Sequence, residues 1–281
     1  MTTVGMRKPL AESNVLIAGT IRNCARRVVR ELQQIRRAFG AARSVRALIV
    51  ESDSSDDTYR VLQRHFESDR WGEVRGLGRL EPTHPLRTER LAHCRNEYLG
   101  AFANDSGYRQ FDYLVVADLD GVNRHVTQDS VASCWRVDEP WDVVTGNQLG
   151  AYYDLWALRV ADWCPDDSVA LYRRLLRFAD EKSARRLAIE ARRLTVREDA
   201  APIETESSFG CLSIYKREVL VSGARYDGVD ESGEEVCEHV ALNRHVRAAG
   251  GRIFINPAFV TRIRIRGAGT LLRALKARYA G

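Results

Sequence analysis

The chain is 281 residues long, 44% hydrophobic and 29% charged, with a formal net charge of +5, a composition that suits one large core or one core with a subdomain attached. No apolar run reaches the length of a membrane span, and residues 1–10 lack the apolar stretch of a signal peptide, so a cytoplasmic protein is expected. Its six cysteines (Cys24, Cys94, Cys134, Cys164, Cys211 and Cys237) show neither a CxxC nor a zinc spacing, which makes free thiols the default.

After a tail of residues 1–13, the run Val15-Leu-Ile-Ala18 predicts a first strand over 14–20 that turns at Gly19 and Thr20. Val28, Val29, Leu32, Ile35 and Phe39 then form a helical stripe, with Asn23 placed to cap it. A second strand is expected over 45–50, ending in the acidic run Glu51-Ser-Asp-Ser-Ser-Asp-Asp57, where Asp56 or Asp57 can cap a helix over 58–66. Residues 76–85 read as loop and 87–103 as helix. Tyr113-Leu-Val-Val-Ala117 is continuously apolar, as a parallel strand buried on both faces should be, and it ends in Asp118-Leu-Asp120-Gly121. Further on come a short strand at 141–145, a basic amphipathic helix over 171–193, a strand at 209–215, a helix over 234–249 that stops at Gly250-Gly251, and a last strand at 252–255. This alternation predicts an α/β protein with a single Rossmann-like, mainly parallel sheet flanked by helices.

In such a sheet, ligands bind beyond the carboxyl ends of the strands. Three of those ends are polar here: Gly19-Thr-Ile-Arg-Asn23, Glu51-Ser-Asp53 and Asp118-Leu-Asp120. Residues i and i+2 of a strand share a face, so Asp118 and Asp120 can point into one small volume. Two carboxylates that close repel unless a cation lies between them, and oxygen-only ligands suit Mg²⁺ or Mn²⁺, which also binds phosphate oxygens. The plain alternative is a pair of turn formers before Gly121. Glu51 and Asp53 supply acceptors for a base and ribose, while Arg22, Arg90 and Arg95 supply positive charge for a diphosphate. There is no GxGxxG after the first strand and no GxxxxGK[ST], which excludes a Rossmann dinucleotide site and a P-loop.

Taken in order, Leu16-Ile-Ala-Gly-Thr-Ile-Arg-Asn23, the acidic run at 51–57, Arg90-Leu-Ala-His-Cys-Arg-Asn96, Asp118-Leu-Asp120 and Cys237-Glu-His239 resemble the nucleotide-diphosphosugar-dependent glycosyltransferases of the GT-A fold. Asn147 to Arg159 and Phe209 to Tyr215 resemble a branch related to fungal capsule α-mannosyltransferases and their bacterial relatives. The resemblance spans residues 14–260 and implies a nucleotide-binding half at 14–125 and an acceptor and catalytic half at 126–260, before a basic tail at 261–281. It implies that Gly19, Thr20, Arg22 and Glu51 line the nucleotide site and that Arg90 and Arg95 face the diphosphate. Asp118 would contact ribose or metal-bound water, and Asp120 would ligate Mn²⁺ or Mg²⁺ directly. His239 has the place of the late histidine that completes the metal shell in several retaining enzymes. Glu238 has the place of the Glu in the Glu-Asp pair of inverting relatives, whose base is the Asp; His239 stands there in this chain, which speaks for a retaining mechanism.

The implied reaction transfers a sugar, with mannose first in line, from a GDP- or UDP-sugar to a saccharide or lipid-linked acceptor. Glu238 can stabilise an oxocarbenium-like centre, and Asp154, within a polar and aromatic cluster of Asn147, Tyr152, Tyr153 and Trp156, is a second catalytic candidate on the acceptor side. Residues 198–209 read as a loop that closes over the donor. A nucleotidyltransferase is the alternative on the same fold, disfavoured because no lysine lies near the first strand; a non-catalytic carbohydrate-binding or membrane-associated protein is another. Residues 262–281 hold six basic residues, no acid and three leucines, a pattern that suits the inner face of an anionic membrane or a helix docked on its own domain. With no recognition helix and no aromatic ladder, nucleic acid is not an expected partner.

Overall fold

The computed structural model describes residues 7–221 and 223–261; the basic tail, read as facing a membrane or docked on its own domain, lies outside the described residues. The first half alternates β1 (Asn14–Ile21), α1 (Val28–Ala38), β2 (Ser44–Glu51), α2 (Thr58–Asp69), β3 (Gly72–Gly76), α3 (Arg87–Asn104) and β4 (Tyr113–Ala117). The second half holds α4 (Gln128–Arg136), β5 (Val143–Asn147), α5 (Ser168–Leu175), α6 (Glu181–Ala188), β6 (Ile203–Thr205), β7 (Leu212–Lys216), α7 (Glu238–Ala248) and β8 (Ile253–Val260). All eight strands form one sheet in the order β3-β2-β1-β4-β7-β5-β8-β6. It is an α/β fold whose sheet is mixed and mainly parallel, with β7 antiparallel to both neighbours and β6 antiparallel to β8.

Alternation along the central strands divides the core into two layers. Val15, Ile17, Ile49 and Val115 face α1, α2 and α4, whereas Leu16, Leu48, Leu114 and Val116 face α3 and α7. Each such side chain, taken fully out of water, contributes about 1.5–3 kcal/mol, which is why an uninterrupted apolar run makes a central strand. A smaller third layer of nine buried residues packs α5, α6 and residues 152–164 against Ile255 of β8.

The structure departs from the sequence reading in several places. The single helix expected over 171–193 is two, because Asp180 accepts a hydrogen bond from Ser183 N (2.9 Å) and caps a fresh start, as Asp167 does for α5. Asn23 does not cap α1; it has a positive φ of 53° and its carboxamide oxygen receives Ser55 N (2.8 Å), tying the loop after β1 to the loop after β2. Asp56 does receive Thr58 N (3.0 Å) at the start of α2. The helix expected from 234 begins at Glu238, since Asp230 holds Ser232 N and Glu234 N in a turn. Residues 203–205 are an edge strand on β8, and Glu204 and Glu206 are ion-paired to Arg247 and Arg252, so this stretch is pinned to the sheet edge rather than poised as a lid. Among the described residues no helix is long and apolar enough to cross a membrane.

Candidate active site

The strand order reverses between β1 and β4: from β1 the chain builds outward through β2 and β3, then returns to place β4 on the other side. Loops leaving the carboxyl ends of β1 and β4 therefore diverge and leave a crevice. A cleft of about 430 Å³ opens there, a volume in the range of small-molecule sites. It is lined by Thr20, Arg22, Asp53, Arg90, Arg95, Asp118, Asp120, Asp154, Glu238 and His239, so ten of the twelve residues singled out from the sequence converge on one place. The other two stand behind it. Gly19 is pressed against the end of β4, where a Cβ would sit 2.6 Å from Ala117 O. Glu51 is buried and turns its carboxylate to Ser54 N (3.0 Å).

The Asp118–Asp120 segment is held by groups that no motif announces. Glu31 of α1 is buried and accepts from the amides of Gly121 (2.6 Å) and Asn123 (2.9 Å). Burial pushes its carboxyl up to about 7, although those two amides favour the charged form. The Asn123 carboxamide in turn donates to Asp118 O and Cys211 O. Asp118 is raised by burial and by Asp120, Asp154 and Glu238, against the pull of Arg95; Asp120, exposed at the cleft surface, is raised too, chiefly because protein surrounds it on several sides.

Arg95 is the hub of the floor. Its buried guanidinium donates to Glu238 (3.0 Å), the Tyr98 hydroxyl (3.2 Å) and Asp118 (3.3 Å). Burial works against its charge, but Tyr98, Glu238 and Asp118 more than offset that, so it stays protonated. It is therefore engaged with carboxylates rather than open to a diphosphate. Arg90 donates to the carbonyls of His84 and Pro85. The cations that remain uncommitted on the lining are Arg22 and Arg87, both exposed and with side chains that have no hydrogen-bond or ion-pair partner among the described residues. Arg87, the first residue of α3, was not singled out from sequence; it lies close enough to Asp120 to favour its charged form. Asp53, at a positive φ of 58°, is desolvated in part, yet the amides of Glu81 and Leu80 hold its carboxyl below the usual range.

The opposite wall carries Asp154, whose carboxylate receives Gly210 N (3.3 Å). Gly210 and Cys211 both have positive φ (65° and 68°), and a Cβ on Gly210 would lie 2.0 Å from Gly146 O. Only glycine fits that approach, and the kink aims the amide at Asp154. Burial, and Glu238 nearby, raise the Asp154 carboxyl to about 6. Trp156 lines the cleft, with its indole N–H donating to Asp167 (3.2 Å), while Tyr152 and Asn147 are buried structural residues. His239 is stacked on Phe209 at 3.7 Å, is kept neutral by burial and by Arg95, and has no hydrogen-bond partner at either ring nitrogen.

Comparison with known proteins is informative only at the level of structure. No family model and no curated protein matches the chain. Mannosyltransferase PcManGT from Pyrobaculum calidifontis, solved in complex with GDP-Man and Mn²⁺, shares 18% identity over 96% of this chain and 65% of its own, at a TM-score of 0.53. TarS of S. aureus shares 11% identity over 86% of this chain and 35% of its own, at 0.52. The chain has the GT-A fold. It spans less than two thirds of the length of either protein, and at these identities the likeness is one of architecture.

Whether this GT-A cleft suits a divalent cation is decided by its donors. Among the described residues no three His, Cys, Asp or Glu side chains stand close enough to make a cage. Mg²⁺-type sites on nucleotides need none, since one or two carboxylates serve and phosphates and water complete the shell. Asp118, whose affinity for a proton Asp120 raises, Asp120 itself, raised by burial, and a neutral His239 with no hydrogen bond at either ring nitrogen fit that requirement.

Proposed function

We propose that this protein is a metal-dependent glycosyltransferase that moves a sugar from a nucleoside-diphosphate sugar to a saccharide or lipid-linked acceptor on the cytoplasmic side. The observation that carries the reading is the pairing of two uncommitted arginines, Arg22 and Arg87, with the carboxylates of Asp118, Asp120 and Asp154 in one cleft at the sheet's switch point. A diphosphate needs the first set, a cation the second, and a sugar can lie between them.

Asp120 would hold Mn²⁺ or Mg²⁺, with Asp118 and His239 beside it; the ion, when bound, supplies positive charge to the departing β-phosphate. Arg22 and Arg87 meet the same developing charge, and being free in the resting protein they need not break other bonds to do so. Asp53 and Thr20 flank the nucleoside end, where Asp53 keeps one carboxylate oxygen free of its amide contacts. Asp154 faces the sugar from the other wall and stabilises positive charge at the anomeric carbon. Glu238, fixed by Arg95, adds negative potential behind it. His239 in place of a carboxylate leaves this position without an ordinary base, which supports retention of configuration. Mannose, the sugar of the donor bound to PcManGT, is the first donor sugar to try.

The test is a thermal-shift screen of nucleoside diphosphates with and without Mn²⁺. A ligand present at about 100 times its Kd stabilises the folded state by about 2.7 kcal/mol. Stabilisation that needs Mn²⁺ and is lost in Asp120→Ala supports the reading; no stabilisation by any nucleoside diphosphate with metal present contradicts it.

A further inference from the structure

We infer that the corner joining α5 and α6 is a docking surface for an anionic lipid bilayer. Seven large apolar side chains are exposed among the described residues, and four of them, Leu176, Phe178, Leu187 and Leu194, fall within residues 176–194. Phe178 is the extreme case at 78% exposed. Leu176 and Phe178 stand in the turn between the two helices, while Leu187 lies near the end of α6 and Leu194 beyond it. Single apolar residues on a surface mean little; four within 19 residues point to a contact. The same stretch is strongly cationic: residues 173–194 hold eight basic residues against three acids, a net charge equal to that of the whole chain. The side chains of Arg177, Lys182 and Arg186 are exposed and make no ion pair or hydrogen bond among the described residues. Apolar side chains that enter the acyl boundary while arginines and lysines meet phosphate headgroups are the chemistry of an interfacial anchor.

Charge argues against the other occupants. A second copy packed through the same face would oppose like patches across a two-fold axis, and the segment 262–281, with six basic residues and no acid, is repelled by the corner as well. The corner also connects to the cleft. Asp167 caps α5 and accepts from both the Trp156 indole (3.2 Å) and Arg159 (2.9 Å), and Trp156 lines the cleft on its Asp154 side. The corner is at the other end of α5 from this contact, the length of an eight-residue helix away. The inference goes beyond sugar transfer and does not depend on it, since the assay below reads membrane binding alone.

The full chain should float with phosphatidylcholine vesicles that contain phosphatidylserine, stay unbound with phosphatidylcholine alone, and detach as salt is raised. Phe178→Glu should lower binding about tenfold or more, the loss of a buried aromatic side chain. Arg177→Glu, Lys182→Glu and Arg186→Glu together should lower it by about 100-fold or more, at about fivefold per lost charge. All four side chains are exposed, so the variants should melt with the wild type. A wild-type chain that never floats overturns the inference. So does flotation that the variants leave unchanged, which would place the contact elsewhere, or binding that ignores lipid charge. A dimer abolished by Phe178→Glu without vesicle binding would assign the corner to a second copy and overturn it too.

Discussion

The two walls of the cleft are built on different principles. The wall bearing Asp118 and Asp120 hangs from β1, β2 and β4, whose side chains fill both main layers of the core, and its loop is locked by buried Glu31 and Asn123. The wall bearing Asp154 hangs from residues 149–164, which pair through isolated bridges and rest on the small third layer. Under the proposed function, a diphosphate–metal group would sit on the rigid strand-end wall with little reorganisation. The acceptor would then meet the wall of short pieces, which can be changed without disturbing the sheet.

Arg95 ties Asp118 at the end of β4 to Glu238 at the start of α7, and removing it should have the largest effect. Arg95→Ala leaves buried Glu238 without its counter-charge and should cost about 3–5 kcal/mol in urea unfolding; a loss below 1 kcal/mol would mean that Glu238 does not depend on Arg95. Core truncations sharpen the contrast. Leu16→Ala, in the large layer, and Leu155→Ala, in the small one, are both fully buried changes expected to cost about 2–5 kcal/mol. Leu155→Ala should fall at the low end because the small layer can relax around the gap, and the reverse order would refute the rigidity argument.

Glu31→Gln keeps an acceptor for only one of the two amides and should cost about 1–3 kcal/mol. It should also weaken Mn²⁺-dependent nucleoside diphosphate binding by about 10–100-fold in calorimetry, the range for a group that positions a metal ligand. Asp154→Asn should leave that binding unchanged and lower kcat alone. The smallest effect is a pH dependence. Glu31 titrates at about 7 in the folded chain against an ordinary 4.5, so the folded state keeps a proton that the unfolded chain has released between those values. Its contribution is full below about 4.5 and is lost as pH rises through 7. Asp154, raised to about 6, acts in the same direction. Metal-free protein should thus lose stability from pH 5 to 7.5, and Glu31→Gln should flatten part of that slope; an unchanged slope would remove Glu31 from the explanation.

These contrasts follow how the chain could be read. The wall bearing Asp118 and Asp120 was legible because its strands are buried on both faces, and a run such as Tyr113 to Ala117 leaves few alternatives. β3 was missed because it is a half-exposed edge with one valine among glycines and charges, and its pairing comes from β2. α4 carries a local signal that was overlooked, Thr127 and Ser130 exchanging hydrogen bonds at its start. Glu31 was hidden because an acid on a helix normally reads as a solvated position, and only the fold brings residues 121 and 123 to it. Arg95 was expected to face a diphosphate and Arg87 was not singled out at all: spacing places both on α3, but depth along the helix decides which one the carboxylates engage.

The central claim is transfer of a sugar from a nucleotide donor, and product analysis tests it most directly. The full chain would be incubated with GDP- and UDP-sugars, Mn²⁺ and a panel of saccharide and lipid-linked acceptors, with Asp120→Ala in parallel. The account predicts release of a nucleoside diphosphate matched by a glycosylated acceptor, dependent on Mn²⁺ and absent in Asp120→Ala. Formation of a nucleotide sugar with release of pyrophosphate, or saturating metal–nucleotide binding with no donor consumed across the panel, would contradict it.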